Sequence, residues 1–147
     1  MGVLSAKRKE STMQFITTAI ELKVFSAKIG IKLPQKYNKY GTSQAYALAD
    51  VIVNDLIKAN SLYFTKDKTE NYQARQTLFT RALGNLNCLS EHIVFLCDLV
   101  DEKLGKNDKN KMAKISPKQW LKWANLINQE IGLVKSIKDS DTQRLPK

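Results

Sequence analysis

The stretch FTRALGNLNCLSEHIVFLCDLV, residues 79–100, places Phe79, Ala82, Leu86, Leu89, Ile93, Leu96 and Val100 at alternating steps of three and four. An α-helix turns once in about 3.6 residues, so these side chains fall on one face. Held over about three heptads, the spacing is the seam of a helical bundle or coiled coil. A half-buried strand would alternate every second residue, and no part of the chain does so. The 147 residues contain only 6 Gly and 3 Pro, too few turn formers for a sandwich of many short strands.

Three further segments carry a helical period. The first opens at Ser11, where Ser11-Thr12-Met13-Gln14 fits a capping box, and continues through Phe15, Ile16, Ala19, Ile20, Val24, Ala27 and Ile31. Pro34 ends it, because the residue before a proline avoids the α region. A basic, Tyr-containing connection to Gly41 follows. The second helix is expected from Thr42 or Ser43 to near Thr65, with Leu48, Ala49, Ile52, Leu56, Ala59 and Tyr63 as its stripe and Val53, Ile57 and Phe64 beside it. Gly105 stands where the third helix would be capped. The fourth begins at Ser116-Pro117-Lys118-Gln119, which offers a cap, a proline at the first helical position and a Gln two further on. Trp120, Ala124, Ile127, Ile131, Val134 and Ile137 form its stripe.

The expected fold class is therefore all-α, an antiparallel up-down four-helix bundle with short loops. Residues 1–10 read as a flexible basic N-terminus, 11–138 as one bundle domain and 139–147 as a disordered polar tail. Lys7, Arg8 and Lys9 are not followed by the apolar run of a signal peptide, and Ala6 occupies the place where a myristoylation signal wants Ser or Thr. No run approaches the roughly 20 apolar residues of a membrane span. Cys88 and Cys97, nine residues apart on one helix, are too distant to bridge and read as small buried hydrophobes. A reducing, cytoplasmic location follows from that reading.

Charge is the other strong signal. Against 14 acidic residues stand 24 Lys and Arg, a formal net charge of +10. Lys23, Lys28, Lys32, Lys36 and Lys39 form one stretch without an acid. Lys103, Lys106, Lys109, Lys111, Lys114, Lys118 and Lys122 form another, opposed by Asp108 alone. Together they hold the whole excess. In an up-down bundle the first and third connections lie at the same end, so the two stretches would make one cationic pole. Such a field draws polyanions. The candidate nucleic-acid-binding residues are Lys28, Lys32, Lys36, Lys39, Lys106, Lys109, Lys111, Lys114, Lys118 and Lys122. Lysine in this excess over arginine suits delocalised phosphate attraction better than bidentate reading of bases. Tyr37, Tyr40 and Tyr72 near the basic turns could stack on unpaired bases or simply seal a bundle end. The plainer alternative for the lysines is solubility.

The residues of common active sites are missing in the required spacing. His92 directly follows Glu91, so no Glu-x-x-His metal motif exists. Arg81 and His92 stand too far apart for the short Arg–His motif of helical ribonucleases. No phosphate-binding glycine loop or nucleophile elbow is present. Asp50 and Asp55 are five residues apart, point in different directions, and read as surface charges or lysine partners. No catalytic residue, metal site or cofactor is expected.

The chain resembles a group of small basic four-helix-bundle proteins. The likeness rests on a first helix ending Ile31-Lys32-Leu33-Pro34-Gln35-Lys36-Tyr37 and a second ending Lys58-Ala59-Asn60-Ser61. A third helix with Arg75, Ala82, Leu86 and Leu89 follows, then a basic loop before Ser116-Pro117. It spans roughly Phe15 to Lys138. The group includes the accessory variability determinant (Avd) of diversity-generating retroelements and the proteins encoded in intervening sequences of bacterial 23S ribosomal RNA genes. Asn60-Ser61-Leu62-Tyr63-Phe64 departs from the pattern of the second kind, which favours the Avd branch. The resemblance implies a non-enzymatic, ring-forming, pentameric protein that binds RNA or DNA and a reverse transcriptase in mutagenic copying. Leu22, Phe25, Ile29, Val51, Leu62, Trp123 and Leu133, off the main stripes, are the candidates for contact between subunits. An oligomeric protein-interaction scaffold, or an intervening-sequence-type bundle without strong nucleic-acid binding, is the alternative.

Overall fold

Every residue of the Phe79–Val100 seam is buried in the computed structural model, on a helix α3 that runs Tyr72–Leu104. The described residues are 2–65, 69–104 and 115–146, with side chains described for 13–65, 69–100 and 115–146. Helix α1 spans Gly2–Lys32, α2 Ser43–Ser61 and α4 Pro117–Gln143, and the described residues include no strand. A 3-10 turn (Gln35–Tyr37) and a π turn (Asn38–Thr42) link α1 to α2. Each helix packs on the next in the chain, and α4 closes on α1. One core results, filled by Phe15, Leu22, Ile52, Leu56, Phe79, Leu86, Leu89, Leu96, Trp123 and Ile127. No helix of the described residues is long and apolar enough to cross a membrane.

The start of α4 forms as its sequence requires. The Ser116 hydroxyl accepts from the Gln119 amide at 3.2 Å, and the Gln119 side chain accepts from the Ser116 amide at 2.9 Å, with Pro117 at the first helical position. The expected start of α1 is not its observed start. Its helical backbone begins at Gly2, so Ser11 lies inside the helix and the division at residue 10 does not mark a helix end. Helix α2 stops at Ser61 instead of near Thr65; Leu62 is extended and Phe64 folds back into a buried position.

On two helices the buried face is shifted from the expected stripe, which it shares only at Phe15, Ile16 and Ala19 on α1 and at Ile127 and Val134 on α4. On α1 Phe15, Ala19, Leu22, Ser26 and Ile29 form a buried three-four series that Leu33 continues just past the helix, with Ile16 and Thr18 buried beside it, whereas Ile20, Val24 and Ile31 are exposed. On α4 Trp123, Leu126, Ile127, Glu130, Val134 and Asp141 point inward, and Trp120, Ala124 and Ile131 are only half-buried. Leu22, Ile29 and Trp123 thus belong to the core and are not available for subunit contact. Ile57 on α2 and Tyr63 just after it are exposed, and on α3 Cys88 is exposed rather than buried.

Polar contacts fasten the helix ends. Trp123 is fully buried and its indole Nε1 donates to Ser26 Oγ at 2.9 Å. At the opposite end, Arg75 lies on α3 one step before the apolar seam. It donates to both carboxylate oxygens of Asp141, at 2.6 and 3.1 Å, and to the Ala59 and Leu62 carbonyls at 2.9 and 3.2 Å. The tail expected at 139–147 is corrected by this contact: α4 continues to Gln143 and Asp141 is buried. A buried guanidinium without its carboxylate would be costly, so the ion pair holds the last turns of α4 in place.

Gly41 permits the α1–α2 connection to lie on α3. A Cβ there would run into the side chain of Leu96, which is fully buried, so Leu96 would have to shift within the core. Gly41→Ala is expected to cost about 1–3 kcal/mol through overpacking. Urea denaturation reads this directly; an unchanged midpoint would mean that the connection packs loosely.

Candidate nucleic-acid interface

Six of the ten candidate lysines fall among the residues with described side chains, and all six are exposed. Lys28 and Lys32 lie on the last two turns of α1, Lys36 and Lys39 in the connection after it, and Lys118 and Lys122 on the first turns of α4. Lys106, Lys109, Lys111 and Lys114 lie outside the described residues. The start of α4 rests on the last third of α1. Phe25 meets Trp123 edge to face at 6.3 Å, and the Lys122 ammonium stands 5.2 Å over the Phe25 ring. At the same end, His92 Nε2 lies 2.9 Å from the Gly41 carbonyl, tying the later part of α3 to the connection.

Among the described residues, none of the six forms an ion pair with a carboxylate. Lys36 and Lys39 instead stand over the rings of Tyr37 and Tyr40, at 5.4 and 6.0 Å. Their ammonium groups therefore keep their charge available to an incoming anion. Lys23, in the same basic run, does not: it pairs with Asp50 at 2.8 Å, and that hydrogen bond raises its pKa. Asp50 thus has the lysine partner its sequence suggested. Asp55 does not behave as a surface charge. It is buried on α2, reaches Arg81 at 3.5 Å through one oxygen, and leaves the other without a hydrogen-bond partner among the described residues.

The tyrosines separate. Tyr37 is buried and seals the bundle. Tyr72 sits at the opposite end, hydrogen-bonded to Thr142 at 2.9 Å and tilted against Phe64, away from the lysines. Of these three, Tyr40 alone is both solvent-facing, at 57% exposure, and part of the basic connection. His92 is half-buried, held by the Gly41 carbonyl and by the Phe95 ring at 6.0 Å.

Two acids escape a reading by apolar spacing. Asp141 is the clasp described above. Glu130 is fully buried on α4, and neither of its oxygens has a hydrogen-bond partner among the described residues. Burial pushes its carboxyl up to about 8. A signal for both exists, since Ile127, Glu130, Val134 and Asp141 share one three-four register once acids are admitted to it.

Comparison of the chain with protein-family models, curated proteins and solved structures finds no match.

Proposed function

We propose that this chain is a non-enzymatic, cytoplasmic nucleic-acid-binding protein of the Avd-like kind, an accessory to a reverse transcriptase. The observation that carries the reading is the set of six exposed lysines, free of carboxylate partners among the described residues, around the α1–α2 connection and the start of α4. An up-down antiparallel order of the helices belongs to it. That order is supported by pairings of opposite ends: Met13 with Asn60, Gly41 with His92, Arg75 with Asp141, and Trp123 with Ser26. In such an order the lysines share one pole, and phosphate neutralisation supplies affinity with little sequence preference.

Titration of fluorescently labelled RNA and DNA over a series of salt concentrations tests this. Log affinity is expected to fall linearly with log salt, and the slope to shrink by about one for each phosphate-contacting lysine replaced by Gln. Lys118→Gln with Lys122→Gln, at exposed positions, should leave the fold unchanged. Affinity that is indifferent to salt would sink the electrostatic mechanism.

A homo-oligomer, with a pentamer favoured, is part of the same proposal. The outward face of α1 supports it: Met13, Ile20, Val24 and Ile31 are exposed in a heptad-like series, Ile31 at 84%. Repetition around a ring multiplies weak phosphate contacts. The apolar face equally favours the second reading, a protein-interaction scaffold whose lysines maintain solubility. Light scattering coupled to size exclusion, with and without a short structured RNA, separates the two. A ring-sized species that takes up RNA at low salt supports the first; an oligomer that ignores RNA supports the scaffold.

A further inference from the structure

We infer that the basic end carries a stacking platform for unpaired bases, built from Tyr40 and Phe95, so that the preferred ligand is a single strand and not a duplex. The inference rests on the nucleic-acid reading above and adds to it the class of ligand. Phe95 lies on α3, off the buried seam, and is 51% exposed. An aromatic ring of that size facing water on a helix whose seam is otherwise fully packed has no role in the core. Leu99, one helical turn further on, shares its face. Leu99 in turn lines a 260 Å³ cavity together with Lys36, Tyr37 and Tyr40. Leu99 thus links the cavity that Tyr40 lines to the turn of α3 that bears Phe95.

The surface is held in place from below. Gly41 lies against Leu96, the His92 ring nitrogen meets the Gly41 carbonyl, and the His92 and Phe95 rings lie 6.0 Å apart at 31°. The connection that bears Tyr40 is thus fixed to the same two turns of α3 that bear Phe95. Lys36 edges the cavity, and Lys39 stands over the Tyr40 ring. Two exposed rings with two cations free of carboxylate partners among the described residues match the two parts of a nucleotide: a π face and a phosphate. The cavity falls just below the roughly 300–1,000 Å³ of small-molecule pockets, which suits one planar ring at its mouth rather than an enclosed ligand. In a duplex the base faces are covered by their neighbours, so only the lysines would engage it.

Fluorescence anisotropy on the full chain tests this with three probes of equal length: oligo-dT, the same backbone with abasic sites, and a duplex. For the unsubstituted protein, oligo-dT should bind about tenfold more tightly than the abasic strand at the same salt. Tyr40→Ala and Phe95→Ala should each lower oligo-dT affinity several-fold or more, leave the abasic strand and the duplex unchanged, and keep the salt slope. Tyr40→Phe should retain binding. Lys36→Gln with Lys39→Gln should weaken all three probes and flatten the slope. Equal affinity for oligo-dT and the abasic strand overturns the platform while leaving electrostatic binding intact, and it does so without any variant. Absence of salt-dependent binding to every probe overturns the nucleic-acid reading itself.

Discussion

Arg75→Ala is expected to destabilise the protein by about 3–5 kcal/mol, because it leaves the Asp141 carboxylate buried without its principal cation. For a chain of this size the melting temperature should fall by roughly 10 °C. Arg75 is buried and spends its donors on Asp141 and on the Ala59 and Leu62 carbonyls at the C-terminal end of α2. Asp141→Ala should cost a similar amount, since it strands the guanidinium. Arg144 also reaches Asp141, at 2.9 Å, but it is exposed, and Arg144→Ala should change stability by no more than about 1 kcal/mol. Truncation after Lys138 removes the carboxylate with the segment that bears it. Thermal melts of the truncated and substituted proteins decide the matter. A truncated chain that melts with the intact one would show the last turns of α4 to be dispensable.

Replacing Glu130 should work in the opposite direction at neutral and alkaline pH. Burial raises its carboxyl from 4.5 to about 8, so the folded protein holds a proton that the unfolded chain releases. The folded state then binds more protons between these values, and stability falls as pH rises from about 4.5 to about 8 before levelling. The full interval corresponds to about 5 kcal/mol. Glu130→Leu, which fills the site without a charge, should remove this pH dependence and be more stable than the parent at pH 8. At pH 5 the two should differ far less. Urea denaturation of both proteins at several pH values isolates the effect, because other carboxylates cancel in the difference. A difference that stays constant across the interval would show that Glu130 ionises as an exposed carboxylate does.

Helix α3 was legible in full from its apolar residues. Its seam has no competitor of equal length: the other apolar residues, among them Phe95 and Leu99, do not hold the three-four spacing along the helix. The capping box of α4 was equally legible, because a cap is a local hydrogen-bond exchange complete within four residues. Helix α1 was not. It carries two three-four series on opposite faces, one through Leu22 and Ile29 and one through Ile20, Val24 and Ile31. Periodicity reports that a face is apolar but not which of two faces meets the other helices. On α4 the choice went astray for another reason. The inward register contains Glu130 and Asp141, which a search for apolar residues skips, and the stripe then shifts toward Trp120, Ala124 and Ile131.

The candidate site divides along the same line. The excess of lysine and its two clusters are properties of the chain. The exposure of Tyr40, the burial of Tyr37, the His92 contact with the Gly41 carbonyl and the fit of Gly41 on Leu96 are matters of tertiary packing. Residues 41 and 96 are far apart in the chain, and no local rule links them. Composition and spacing by themselves establish four helices, the capped start of the fourth and a strongly basic molecule, because helix period, caps and charge are local quantities. Which face of each helix is buried, and which acids and rings keep company with which cations, depends on how four amphipathic surfaces share one core.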